Sequence, residues 1–163
     1  MKSSIYCENR YEKELPLSVT QVETFAVQLF ETALANISNS LFSASYNYDF
    51  DVLLCDDDFI HEVNREYRNI DRATDVITFA LFADSEDKII SDNTVNLGQI
   101  VISIDKTYSQ AKENNIEPSR EFLELLSHGI LHLLGIDHPN DEELEKMLML
   151  QDKMIESTDY VKV

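Results

Sequence analysis

His128-Gly129-Ile130-Leu131-His132-Leu133-Leu134-Gly135-Ile136-Asp137-His138 gathers three of the four histidines of this 163-residue chain into one short run. Residues four apart on a helix lie one above the other, so His128 and His132 can offer imidazole nitrogens to one ion from the same face. Gly135 is the residue type that ends a helix in a left-handed conformation, and such a reversal can swing His138 back as a third ligand. The run predicts the end of a helix, a tight turn and a metal site together.

Outward from the run, Pro118 can open this helix because its missing N–H is not needed there. Phe122, Leu123, Leu125, Leu126, Ile130, Leu131, Leu133 and Leu134 make it apolar over most of its circumference. Glu121, Glu124, His128 and His132, spaced by three, four and four residues, form the one polar stripe. That stripe is expected to face a cleft.

A single histidine is most often a hydrogen-bonded surface or core residue, and a helical pair can arise by chance. The third histidine and the glycine shift the balance to a metal site. Imidazole ligands suit zinc, one ion per chain, and three of them leave a fourth position for water, as in catalytic sites. The spacing coincides with the zinc-protease signature H-E-x-x-H-x-x-G-x-x-H, but Gly129 stands where that chemistry needs a proton-accepting Glu.

Elsewhere, Thr20 and Glu23 suggest a capping box ahead of helically spaced Val22, Phe25, Ala26, Leu29, Phe30, Ala33 and Ile37. Tyr46, Tyr48, Phe50, Val52 and Leu54 alternate with Asn47, Asp49 and Asp51, as in a strand whose aromatics belong to a core. Asp56, Asp57 and Asp58 sit where a helix would begin. Residues 76–81 and 97–104 read as strands, with a surface loop over 83–96. Helices are expected over 105–115 and 141–155, the latter packing through Leu144, Met147, Leu148 and Ile155. The class is α+β: one domain over residues 1–163, a small mixed β-sheet packed with about five helices and the metal site at the C-terminal end of one helix.

The histidine run resembles the hallmark H-G-x-L-H-L-x-G-x-D-H of the YbeY family of bacterial endoribonucleases, and fits it at every specified position. Asn64-Arg65-Glu66-Tyr67-Arg68 resembles the family's N-x-x-Y-R, Thr74-Asp75-Val76-Ile77-Thr78-Phe79 its T-D-V-L-S-F, and Leu97-Gly98-Gln99-Ile100-Val101-Ile102 its L-G-D-I-x-I. Gln99 departs from the family Asp, which removes a carboxylate from any acid–base or supporting role at that position. Ala73 and Ala80 stand where prolines are common, and Ile136 where Tyr is frequent.

The resemblance implies a zinc-dependent, single-strand-specific endoribonuclease of ribosomal RNA processing, acting in small-subunit rRNA 3′ end maturation and ribosome quality control. It carries over a functional arginine at Arg68, whose planar guanidinium suits bidentate contact with phosphate and would act together with a metal-bound water. Asp137 is a candidate supporting partner of the ligands, and equally a turn-stabilising side chain. His61 reads as a surface histidine.

Lys and Arg total 13 against 31 Asp and Glu, a net charge of −18. Such a surface repels a phosphate backbone, so RNA contact must rest on a local basic patch. Arg65, Arg68 and Arg72 offer one; Arg65 and Arg72 read as partners of nearby acids at a helix end. The acidic surface suits basic ribosomal proteins of the small subunit as partners, beside the single-stranded ribosomal RNA. Cys7 and Cys55 lack metal-knuckle spacing and read as reduced packing thiols. No membrane-length apolar run or signal-like N-terminus is present, so a cytoplasmic location is expected. Two rival readings remain: a non-catalytic ribosome-assembly factor with structural zinc, and a zinc metalloprotease.

Overall fold

The computed structural model describes residues 2–162. Strands β1 (Ser3–Asn9), β2 (Asn47–Cys55), β3 (Val76–Phe79) and β4 (Thr94–Ser103) form one sheet in the order β1-β2-β4-β3. β1 and β4 run parallel to β2 while β3 is antiparallel to β4, so the sheet is mixed, as expected. Around it lie α1 (Val19–Ala35), α2 (Asp57–Arg68), α3 (Leu81–Asp84), α4 (Ile104–Asn114), α5 (Pro118–Leu133) and α6 (Asp141–Glu156), followed by a 3-10 turn, Asp159–Lys162. The class is α+β.

Alternation along the strands divides the apolar side chains between two faces. Tyr48, Phe50, Val52 and Leu54 of β2, with Val95, Leu97, Ile100 and Ile102 of β4, join the buried faces of α1, α5 and α6 in the main core. On the other face, Leu53, Cys55, Ile77 and Val101 are covered by Ile60, Phe59 and Val63 of α2. The strand aromatics are core residues, as their periodicity predicts. Cys7 and Cys55 are free and buried, and burial pushes both thiols up to about 12, which suits inert packing groups.

Several boundaries differ from the sequence expectation. The capping box of α1 is Ser18 and Gln21, not Thr20 and Glu23: Ser18 Oγ accepts the Gln21 N–H at 3.1 Å and Gln21 Oε1 accepts the Ser18 N–H at 2.9 Å. Leu17 and Val22 flank this box and are both buried in the main core, so the apolar pair sets where the helix enters. β1 is not among the expected strands: its inward face has only Ile5 and Cys7 as apolar residues, with Ser3 in the remaining position, while the large Tyr6 points outward.

β3 stops at Phe79, short of 81, because its partner distorts. Gly98 has φ +131° and a Cβ there would lie 1.9 Å from the Phe79 carbonyl oxygen, so only glycine admits this approach. The chain leaves the sheet and makes the single turn of α3, so 83–96 is not all loop. α4 begins one residue early because Ser103 caps it, Oγ accepting the Lys106 N–H. In α6, Leu148 is exposed, and the buried stripe is Met147, Gln151, Met154 and Ile155.

Candidate metal centre and its cleft

α5 starts with Pro118 at its first position and closes with a left-handed reversal at Gly135, φ +79°. The Gly135 N–H donates to the His132 carbonyl and the Ile136 N–H to the Leu131 carbonyl, both at 3.0 Å, the paired bonds of a Schellman ending. That ending does two things for the site. It brings His138 back toward the helix, and it turns the Ile136 carbonyl to accept the His132 Nδ1–H at 2.9 Å.

The three histidines converge as their spacing predicts. Ring centroids of His128 and His132 are 4.4 Å apart, and His138 lies 5.3 and 5.7 Å from them. One nitrogen of each falls within 4.8 Å of the others, so the trio can hold a metal ion. Ile136 offers only an acceptor, so the neutral His132 ring carries its hydrogen on Nδ1 and leaves Nε2 bare. His128 Nδ1 faces Gln151 Oε1 at 2.9 Å; with the amide oxygen toward the ring, Nδ1 carries the hydrogen and Nε2 is bare in the same way. The two Nε2 atoms stand 2.9 Å apart. Two such nitrogens can share an ion, or a proton when one ring carries its hydrogen on Nε2, and an all-imidazole donor set fits zinc and its divalent neighbours. Burial, and then the nearby His128, lower the pKa of His132, which favours the neutral form a metal needs.

Gly129 is buried against the sheet. A Cβ there would meet Ile100 Cγ2 at 2.8 Å, so β4 occupies the space into which a protease glutamate would have to fit. Asp137 Oδ1 accepts the backbone N–H of His138 at 2.7 Å and so holds the turn that carries the third ligand.

His128 and His132 open onto a cleft of about 550 Å³, whose walls include Arg68, Asp75, Thr78 and Asp84. Arg68 ends α2 and is exposed, with no ion pair among the described residues. Arg65, by contrast, bonds Glu62 at 2.7 Å, as expected, whereas Arg72 does not pair with an acid among the described residues and only its carbonyl is engaged, by Asn64. His61 pairs with Asp71 on the surface. Gln99 lies on the α2 side of the sheet with Val101, opposite Ile100, so the missing family carboxylate does not touch the histidines. The polar stripe of α5 splits: His128 and His132 reach the cleft, but Glu121 is only 4% exposed and bonds Gln110 of α4. Asp84, in the stretch expected to be a surface loop, and Gln151 of α6 join the site without a sequence expectation. A polar residue at the i+4 position from Met147 and the i−4 position from Ile155 was the signal for Gln151.

A family model described as Endoribonuclease YbeY matches residues 8–159. The chain belongs to the YbeY family. A curated member from Caldicellulosiruptor saccharolyticus, named Endoribonuclease YbeY, is 36% identical over 83% of this chain and 89% of its own length. One of the same name from Oenococcus oeni is 46% identical over 68% of this chain and 72% of its own. A solution structure from Thermotoga maritima superposes with a TM-score of 0.60 at 28% identity, covering 95% of this chain and 87% of that one. Membership in the YbeY family makes the chain a hydrolase acting on RNA, and the motifs quoted from its sequence fall within the matched residues.

Proposed function

We propose that the chain is a zinc-dependent, single-strand-specific endoribonuclease of ribosomal RNA processing, working as one domain over residues 1–163. The observation that carries this reading is the convergence of three histidine nitrogens within 4.8 Å of one another beside the cleft that Arg68 lines. His128, His132 and His138 would hold one zinc ion, which when bound supplies Lewis-acid chemistry. Gln151 and the Ile136 carbonyl fix two of the rings, and Asp137 steadies the turn to the third.

Arg68 would bind a non-bridging phosphate oxygen and stabilise the charge that builds there as the phosphodiester is cut. A cleft of about 550 Å³ suits a few unstacked nucleotides better than a paired helix, which supports the single-strand preference. Activity at the 3′ end of small-subunit rRNA and in ribosome quality control would bring this acidic chain beside basic ribosomal proteins in the cytoplasm. No helix among the described residues is long and apolar enough to cross a membrane.

The test is cleavage of a single-stranded rRNA fragment by wild type, His132→Ala and Arg68→Ala, with metal content measured on each. His132→Ala is expected to lose both metal and cleavage. Arg68→Ala is expected to keep its metal and lose about 10²–10³-fold in rate, the scale of losing one transition-state charge contact. Full cleavage by metal-free His132→Ala would overturn the role of the metal, and a zinc-loaded wild type that cuts no RNA would overturn the reading in favour of a non-catalytic assembly factor.

A further inference from the structure

The buried face of α6 consists of Met147, Gln151, Met154 and Ile155. Three of these are apolar, and Gln151 is 5% exposed, so an uncharged amide has been buried where a fourth apolar side chain would pack. Its side-chain oxygen lies 2.9 Å from His128 Nδ1, across 23 residues of sequence. The other helical histidine has no such partner from a distant element. His132 is oriented by the Ile136 carbonyl of its own helix ending. Both ligands are therefore held from behind, one locally and one by α6.

We propose that Gln151 is a positioning residue: it sets the tautomer of His128 and, through it, the affinity of the three-histidine centre for a divalent metal. The inference rests on the reading of the histidines as ligands. The reasoning turns on what an amide can do. With its oxygen toward the ring, Gln151 accepts Nδ1–H and leaves Nε2 free to bind metal. Turned over, it donates to a bare Nδ1, and His128 then carries its hydrogen on Nε2, aimed at His132 2.9 Å away. The first arrangement belongs to the loaded centre. The second gives the same pair a direct hydrogen bond when no ion is bound. A carboxylate at this position could only accept, and an apolar residue could do neither.

Neutrality is the second consequence. The groups behind His128 and His132 are an amide oxygen and a backbone carbonyl, neither of them charged. Neither of these partners brings a formal negative charge against the ion, so most of its charge would be directed into the cleft shared with Arg68.

The experiment uses the full chain without RNA. Zinc affinity is measured by chelator competition for wild type, Gln151→Leu and Gln151→Glu, and the ring-nitrogen ¹⁵N shifts of His128 are recorded with and without zinc. Gln151→Leu is expected to bind zinc about 10–100-fold more weakly, the usual scale for losing a ligand's hydrogen-bond partner. Gln151→Glu, which can only accept, is expected to match or exceed wild type. In zinc-loaded wild type the His128 shifts are expected to show hydrogen on Nδ1. If Gln151→Leu binds within twofold of wild type, or if loaded wild type has a bare Nδ1 on His128, the proposal is overturned. The spectroscopic readout needs no variant, so misfolding of Gln151→Leu leaves the proposal open to refutation. Wild type that binds no zinc at all would instead overturn the metal reading beneath it.

Discussion

A carboxylate that faces phosphate without a partner of its own opposes every RNA complex formed beside it. Asp84 is such a group: it lines the cleft, and no hydrogen bond or ion pair engages its side chain among the described residues. Asp75 and Asp137 line the same cleft but accept backbone N–H groups of Val76 and His138. Asp84→Asn is expected to raise the affinity of the metal-loaded protein for single-stranded RNA by about two- to fivefold, the scale of one part-exposed charge. Fluorescence anisotropy with a labelled oligonucleotide measures it. Lower cleavage at unchanged affinity would assign Asp84 to proton transfer instead. Residue-level legibility followed sequence distance. The histidines were readable because helical spacing and a glycine are local signals, whereas Gln151 reaches His128 only through the packing of α6 on α5.

At the scale of elements, α5 is held between β4 and α4, and each contact makes a separate prediction. Gly129 lets α5 approach Ile100; Gly129→Ala is expected to destabilise the fold by about 1–3 kcal/mol despite alanine's better helix propensity, because the branched side chain of Ile100 has little room to yield. Urea unfolding measures this, and an equal or higher midpoint would show that the sheet can shift. On the α4 side, burial raises the pKa of Glu121, offset in part by the hydrogen bond from Gln110. A raised folded value means that Glu121 is tolerated best when protonated. Its contribution is intact below about pH 4.3, the unfolded value, and is lost as pH rises through the folded one. Glu121→Gln stays neutral throughout, so its melting temperature should exceed that of wild type at pH 8 and converge on it near pH 4. A constant difference across that range would show that Glu121 folds without a pKa shift. The polar stripe told where α5 is interrupted, but not that α4 would cover its first turn.

Over the whole molecule, the net charge of −18 sets how RNA can be held at all. Packing determines which of the few cations remain available. Arg10, Arg65, Lys106, Arg120 and Lys146 are engaged by carboxylates, and Lys88 donates to the carbonyls of Phe82, Ala83 and Ser85. Arg68 is the basic side chain lining the metal cleft, set there against three aspartates. Composition alone made the charge conflict plain, but only the tertiary arrangement shows which basic residues pair with the protein's own acids and that Arg68 faces the metal cleft. A protein that holds RNA through one arginine and one ion neutralises few phosphates. Each phosphate neutralised on a single strand contributes about −0.7 to the slope of log K against log salt, so the expected slope is only about −1 to −2. Binding of a labelled single strand by the zinc-loaded, Arg68-intact protein between low and physiological salt measures it. Chelation of the metal should weaken binding at every salt concentration, because the aspartates then outweigh Arg68. A slope steeper than about −4 would require a second basic surface, and the one-arginine cleft would no longer account for how the chain holds its substrate.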